Sequence, residues 1–126
     1  MSGLSIKADY NGFVDFKQLI QKTREIFKLY AESDVKRLGH EWPRGEYAKA
    51  LAADVGALIK LTIAKDGLRE VENVDEKLRH EFGDILSALI YLADKYDVDI
   101  EEAFWETIKT LEERAAKNEL YKSHTL

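Results

Sequence analysis

The sequence predicts an all-α protein with four helices packed as a bundle, and three observations predict it. Apolar residues recur at alternating spacings of three and four through four separate segments, the period of a helix buried along one side. One proline and seven glycines in 126 residues leave few points at which so long a pattern is interrupted. No segment carries a strand signal.

The elements follow in order. Residues 1–12 hold no sustained period and read as an arm. A first helix is expected over 13–31, where Phe13, Phe16, Ile20, Thr23, Phe27 and Tyr30 form one stripe. Residues 32–45 read as a connection holding a short turn at 33–37, capped by Ser33 or Asp34. Pro43 then holds Trp42 extended, and Gly45 adds freedom. A second helix is expected over 46–65, with Ala48, Leu51, Val55, Leu58 and Thr62 as its stripe, widened by Ala52, Ile59 and Ile63. Gly67 is placed to be the left-handed residue after it. An acidic loop, 68–73, leads to a third helix capped by Asn73 or Asp75 and running to Lys95. Its stripe is Leu78, Phe82, Ile85, Leu89, Leu92 and Tyr96. Asp99 caps a fourth helix lined by Ile100, Phe104, Ile108, Leu111 and Ala115, and 118–126 reads as a loose tail. The links after the second and third helices are short, so consecutive helices should pack antiparallel.

Length allows one domain, residues 1–126, with a core of real size. The chain has no cysteine, which excludes disulfides and thiolate metal sites. No window approaches the ~20 apolar residues of a membrane span, and no leader pattern opens the chain, so no membrane partner is expected and the expected location is cytoplasmic. A net charge of −5, with 19 Lys and Arg scattered among 24 acids, gives no basic stripe and argues against a nucleic-acid partner. A protein of this balance that binds phosphates is expected to do so through a metal.

The candidate chemistry sits at His80-Glu81-Phe82-Gly83-Asp84. Glu81 and Asp84, three apart on a helix, stack their carboxylates one turn above each other. Steps of 100° place the pair along one flank of the third helix's stripe. Oxygen ligands suit a hard cation such as Mg²⁺ or Mn²⁺. A lone pair of this kind is most often merely solvated. Antiparallel packing asks for a partner acid on the second helix, and Asp54 is the one acid in the middle of it. One turn later, where another would complete the set, stands Ala57. Among other residues, His80 suits a hydrogen-bonding role and Lys77 a pair with Glu81. His40 and His124 suggest no function. Trp42 reads as a lid on the core ahead of a stacking surface.

In the order and spacing of Leu51-x-x-Asp54-Val55-Gly56-x-Leu58-x-Lys60, Asp66-Gly67, His80-Glu81-x-x-Asp84 and the segment 92–104, the chain resembles the MazG-like all-α nucleoside triphosphate pyrophosphohydrolases over about 42–114. The resemblance implies Mg²⁺-dependent hydrolysis of a nucleoside triphosphate to the monophosphate and pyrophosphate. It implies that Asp54, Glu81 and Asp84 hold the metal, that Lys109 and Arg114 lie near the substrate phosphates, and that the protein is a homodimer or homotetramer. The family's first motif, E-E-x-x-E, becomes Ala53, Asp54 and Ala57, so one acid of three remains, while its E-x-x-D is intact. A weakened hydrolase is expected first. A helical module that binds nucleotide or protein without turnover is the second expectation. A purely structural helical protein is the third.

Overall fold

In the computed structural model, which describes residues 15–119, four helices follow one another with no strand among the described residues. The first begins where Asp15 and Gln18 exchange hydrogen bonds: the Asp15 carboxylate accepts from the Gln18 N–H and the Gln18 side chain accepts from the Asp15 N–H, both at 2.9 Å. This reciprocal box satisfies donors a helix start otherwise leaves unpaired. Helix α1 (Phe16–Leu38) runs seven residues beyond its expected end. The turn expected at 33–37 is part of it, because Asp34 pairs with Arg37 one turn on (2.9 Å) instead of capping a new helix. Gly39, at φ 84°, ends the helix and donates its N–H to the Val35 carbonyl. The arm 1–12, Phe13, and the tail from 120 onward with His124 lie outside the described residues.

Helix α2 (Arg44–Lys65) starts directly after Pro43. It ends at Asp66, and Gly67 takes the left-handed conformation its position predicts, φ 83°. Helix α3 (Val74–Lys95) follows Asn73, which sits at φ 53° and makes no side-chain capping bond, contrary to the expected cap. Asp99 caps helix α4 (Ile100–Ala116) as expected, accepting from the Glu102 N–H at 3.0 Å.

Helices α2 and α3 form the closest pair. Lys65 reaches Asp75 (2.6 Å) at one end, and Arg44 donates to the Lys95 carbonyl (3.5 Å) at the other, so the two run antiparallel. Helix α1 crosses α3 in the opposite sense. Arg24 clamps Asp94 through Nε (2.5 Å) and Nη2 (2.8 Å), and Phe27 stacks on Tyr91 with centroids 4.5 Å apart. Among the described residues, the buried apolar ones are Ile20, Ala31, Ala64, Ile90 and Tyr91.

This packing corrects the expected stripes: on α4, Phe104, Leu111 and Ala115 of the expected inner face are exposed, as is Tyr30 on α1, and the stripes of α2 and α3 are turned. On α2, Ala48, Ala52, Val55, Ile59, Thr62 and Ile63 are exposed, and the covered face runs through Tyr47, Ala50, Leu51, Asp54, Ala57, Leu58, Leu61 and Ala64. Ala50, Ala57 and Ala64 recur seven apart, and small residues at that spacing let α2 lie close along α3. On α3, Phe82, Leu89 and Tyr96 are exposed, while Glu81, Asp84, Ile85, Ala88, Tyr91, Leu92 and Lys95 form the covered face. The acid pair therefore lies within the packed face and not along its flank.

Candidate functional site

Because α1 and α2 both lie against α3, a groove runs between them above the covered face of α3. Asp54 lines it from α2 and Asp84 from α3, while Glu81, also on α3, lines the neighbouring cleft; all three are half-buried. The three acids expected from the sequence are thus brought together. Glu81 feels it most. Partial burial, then the negative charges of Asp54 and Asp84, raise its carboxyl above the ordinary carboxylate range, and His80 opposes them. Its Oε1 is shut off from solvent and has no hydrogen-bond partner. A shielded carboxylate oxygen without a donor is rare in folded chains and calls for an explanation such as an ion. His80 Nε2 stands 3.2 Å from Asp84 Oδ2, four residues along the same face, close enough to orient that carboxylate. No ion pair joins Lys77 to Glu81 among the described residues; Lys77 lines the cleft beside it.

Two clefts flank the acids. One, of about 360 Å³, has Asp54 and Asp84 in its wall with Phe27, Tyr30, Trp42 and Tyr47 around them. The rings form a continuous series: Trp42 meets Tyr47 at 5.6 Å, Tyr47 meets Tyr91 edge-on at 5.2 Å, and Tyr91 stacks on Phe27. Lys95 caps the series from above, with Nζ 5.0 Å from the Tyr91 centroid and held by Glu41 at 3.4 Å. Trp42 is therefore both a partner of Tyr47 and a wall of the open cleft. Tyr30 and Tyr47 were not singled out from the sequence as site residues. The available signal was Tyr47's position seven residues, two turns, before Asp54 on one face.

The second cleft, of about 580 Å³, lies on the other side of Glu81 and is lined by Ala57, Lys60, Lys77 and His80 among others. Ala57 thus sits beside Glu81, as expected, and open space adjoins it. Lys109 and Arg114 do not line the clefts around Asp54, Glu81 and Asp84, whose walls come from α1, α2, α3 and the connections before α2 and α3.

The donor set fits a hard cation in kind, since all three groups offer oxygen and one oxygen lacks any other partner. The carboxylates do not converge on one point, however: among the described residues no group of three or more His, Cys, Asp or Glu is arranged to hold a metal as it stands. Side-chain rotation must gather them. No described helix is long and apolar enough to cross a membrane. No family model, curated protein or solved structure matches the chain.

Proposed function

We propose that this chain is a MazG-type, Mg²⁺-dependent nucleoside triphosphate pyrophosphohydrolase of weakened activity, acting in the cytoplasm. The observation that carries the proposal is the orphaned Oε1 of Glu81, whose carboxyl feels the charges of Asp54 and Asp84, two acids in the wall of an aromatic cleft. Repulsion among three carboxylates opposes folding, so a cation shared between them supplies what the chain lacks. Mg²⁺ (or Mn²⁺) bound there would draw in the phosphate chain and lower the pKa of a coordinated water.

The remaining roles belong to the chain itself. Asp54, Glu81 and Asp84 would supply the oxygen ligands, and His80 would hold Asp84 in orientation. Tyr30, Trp42 and Tyr47 offer faces on which a base can stack, in a cleft opening next to the acids. Ala57 provides no carboxylate to orient an attacking water, and Ala53 none to complete the first acidic motif. The absence of a general base at such a point typically lowers rates by about two to four orders of magnitude.

Those same alanines favour a second possibility, a module that binds nucleotide without hydrolysing it. One experiment separates the two. Calorimetry with Mg²⁺ or Mn²⁺ on the native chain and on Glu81→Ala/Asp84→Ala reads the metal site, and pyrophosphate release from a panel of standard and modified nucleoside triphosphates reads turnover. Metal binding lost in the variant together with slow release supports the hydrolase. Metal and nucleotide binding without release supports the module, and equal metal binding by both proteins refutes the site.

A further inference from the structure

A phosphate chain beside the acids needs cations that Lys109 and Arg114 do not supply, since neither lines a cleft there. Three clefts adjoin the acids, and the charges of their described walls differ. In the aromatic cleft, Asp34, Asp54 and Asp84 stand against one base, Arg37, whose guanidinium is already held by Asp34 at 2.9 Å. A cleft of about 390 Å³ against α1 holds Asp84 and one base, Lys22, which lies 3.7 Å from Glu25. The cleft of about 580 Å³ beside Glu81 is different. Lys60 lines it from α2 and Lys77 from α3, and both are exposed. Neither takes part in an ion pair among the described residues. Helix geometry brings the two to one level. Because α2 and α3 run antiparallel, the path from Asp54 and Asp84 passes Ala57 and Glu81, reaches Lys60 and Lys77, and ends at the ion pair of Lys65 with Asp75. The rings of Trp42 and Tyr47 lie in the other direction. At ~1.5 Å of rise per residue, Tyr47 and Lys60 are about 20 Å apart along the axis of α2, with the acids between them.

We propose that Lys60 and Lys77 hold the terminal phosphates of a nucleoside triphosphate whose base lies in the aromatic cleft, with the three acids between the two ends. This orientation rests on the metal and nucleotide reading of the acids and adds to it the direction in which the substrate lies. Charge selects it. Phosphates turned toward the aromatic cleft meet three carboxylates and a committed arginine, whereas the other end offers two uncommitted ammonium groups. Lysine suits the task, because its three donors turn about a compact charge and follow a phosphate that shifts. Glu76 lines the same cleft and opposes the anion, as Glu81 does until a cation offsets its charge. Two bases against two acids leave this wall near neutrality, so the anion binds with Mg²⁺ and only weakly without it. A monophosphate, which ends at the acids, gains nothing from either lysine, and the site therefore favours chains of two or more phosphates.

Calorimetry on the full chain with pyrophosphate, in the presence and absence of Mg²⁺, tests this. Lys60→Ala and Lys77→Ala should each weaken Mg²⁺-dependent pyrophosphate binding about tenfold, the scale of one hydrogen bond to a charged group at an exposed position. Glu76→Gln should tighten it, a change of sign that a general loss of structure cannot produce. Alanine suits both exposed helix positions, so helical circular dichroism should be retained. Should either alanine variant unfold, Glu76→Gln decides, and unchanged or weaker binding there overturns the lysine cleft. Titration with Mg²⁺ alone reads the acids separately. If Mg²⁺ binds but both lysine variants keep the native affinity for pyrophosphate, or Lys109→Ala loses it instead, the lysine cleft is overturned and the metal site stands. If Mg²⁺ does not bind, the reading of the acids fails, and pyrophosphate without metal decides the rest: affinity lost in the lysine variants supports the cleft, and no affinity overturns it.

Discussion

Glu81→Met tests the acid cluster through stability, without any substrate. Methionine keeps the length of the side chain, is a good helix former and tolerates irregular surroundings. It removes a shielded oxygen that no donor satisfies and a negative charge facing Asp54 and Asp84. Leaving a buried acceptor unpaired costs about 1–3 kcal/mol, and a half-buried residue belongs at the lower end, so the variant should gain about 1 kcal/mol. For a chain of this size that is a rise in Tm of about 3–6 °C. The pH dependence fixes the cause. The folded-state pKa of Glu81 is raised, so the folded chain binds a proton more readily than the unfolded one just above the ordinary carboxylate value. Its penalty is fully present at neutral pH and fades as pH falls through the folded-state pKa. Thermal melts at neutral pH and near pH 4.5 should therefore show the advantage of Glu81→Met shrinking on acidification. On the proposed metal site, Mg²⁺ should stabilise the native chain and leave the variant, which lacks one of the proposed ligands, unmoved. A destabilised variant, or an advantage independent of pH, would refute the account of the cluster.

Three further outcomes are expected. Ala53→Glu with Ala57→Glu should tighten Mg²⁺ binding and raise pyrophosphate release by about two to four orders of magnitude, measured by calorimetry and a phosphate-coupled assay; tight metal binding with no release from any nucleotide would leave the binding module. Arg24→Ala should cost about 1 kcal/mol in urea unfolding, since it ends the two-pronged contact with Asp94 that ties α1 to α3 near the surface. Gly39→Ala should cost about 1 kcal/mol by the same measurement, because φ 84° suits glycine and strains alanine, although nothing lies near enough to clash.

The sequence by itself determined that residues 15–119 fold as helices, how many helices they form, and several of their ends. Those features rest on local chemistry: a period of three and four, the Asp99 cap, and Gly67 where the backbone turns left-handed. It also named Asp54, Glu81 and Asp84 together, because i, i+3 spacing and antiparallel neighbours follow from short links alone. Local chemistry was less sure where two outcomes compete. Asp34 can cap a helix or pair with Arg37, and in α1 the pair prevails, so the helix continues to Leu38. Only the tertiary structure decided which face of each helix is covered. On α2 the heavier residues Val55, Ile59 and Ile63 mark one stripe, but the alanines at 50, 57 and 64 allow the closer approach, and close approach turned that helix. The same packing set Glu81 within the covered face of α3, left its Oε1 without a partner, and gathered Tyr30, Trp42 and Tyr47, which lie on three different segments, around one cleft. Hydropathy counts the apolar residues of a helix, whereas packing selects the side on which another helix fits.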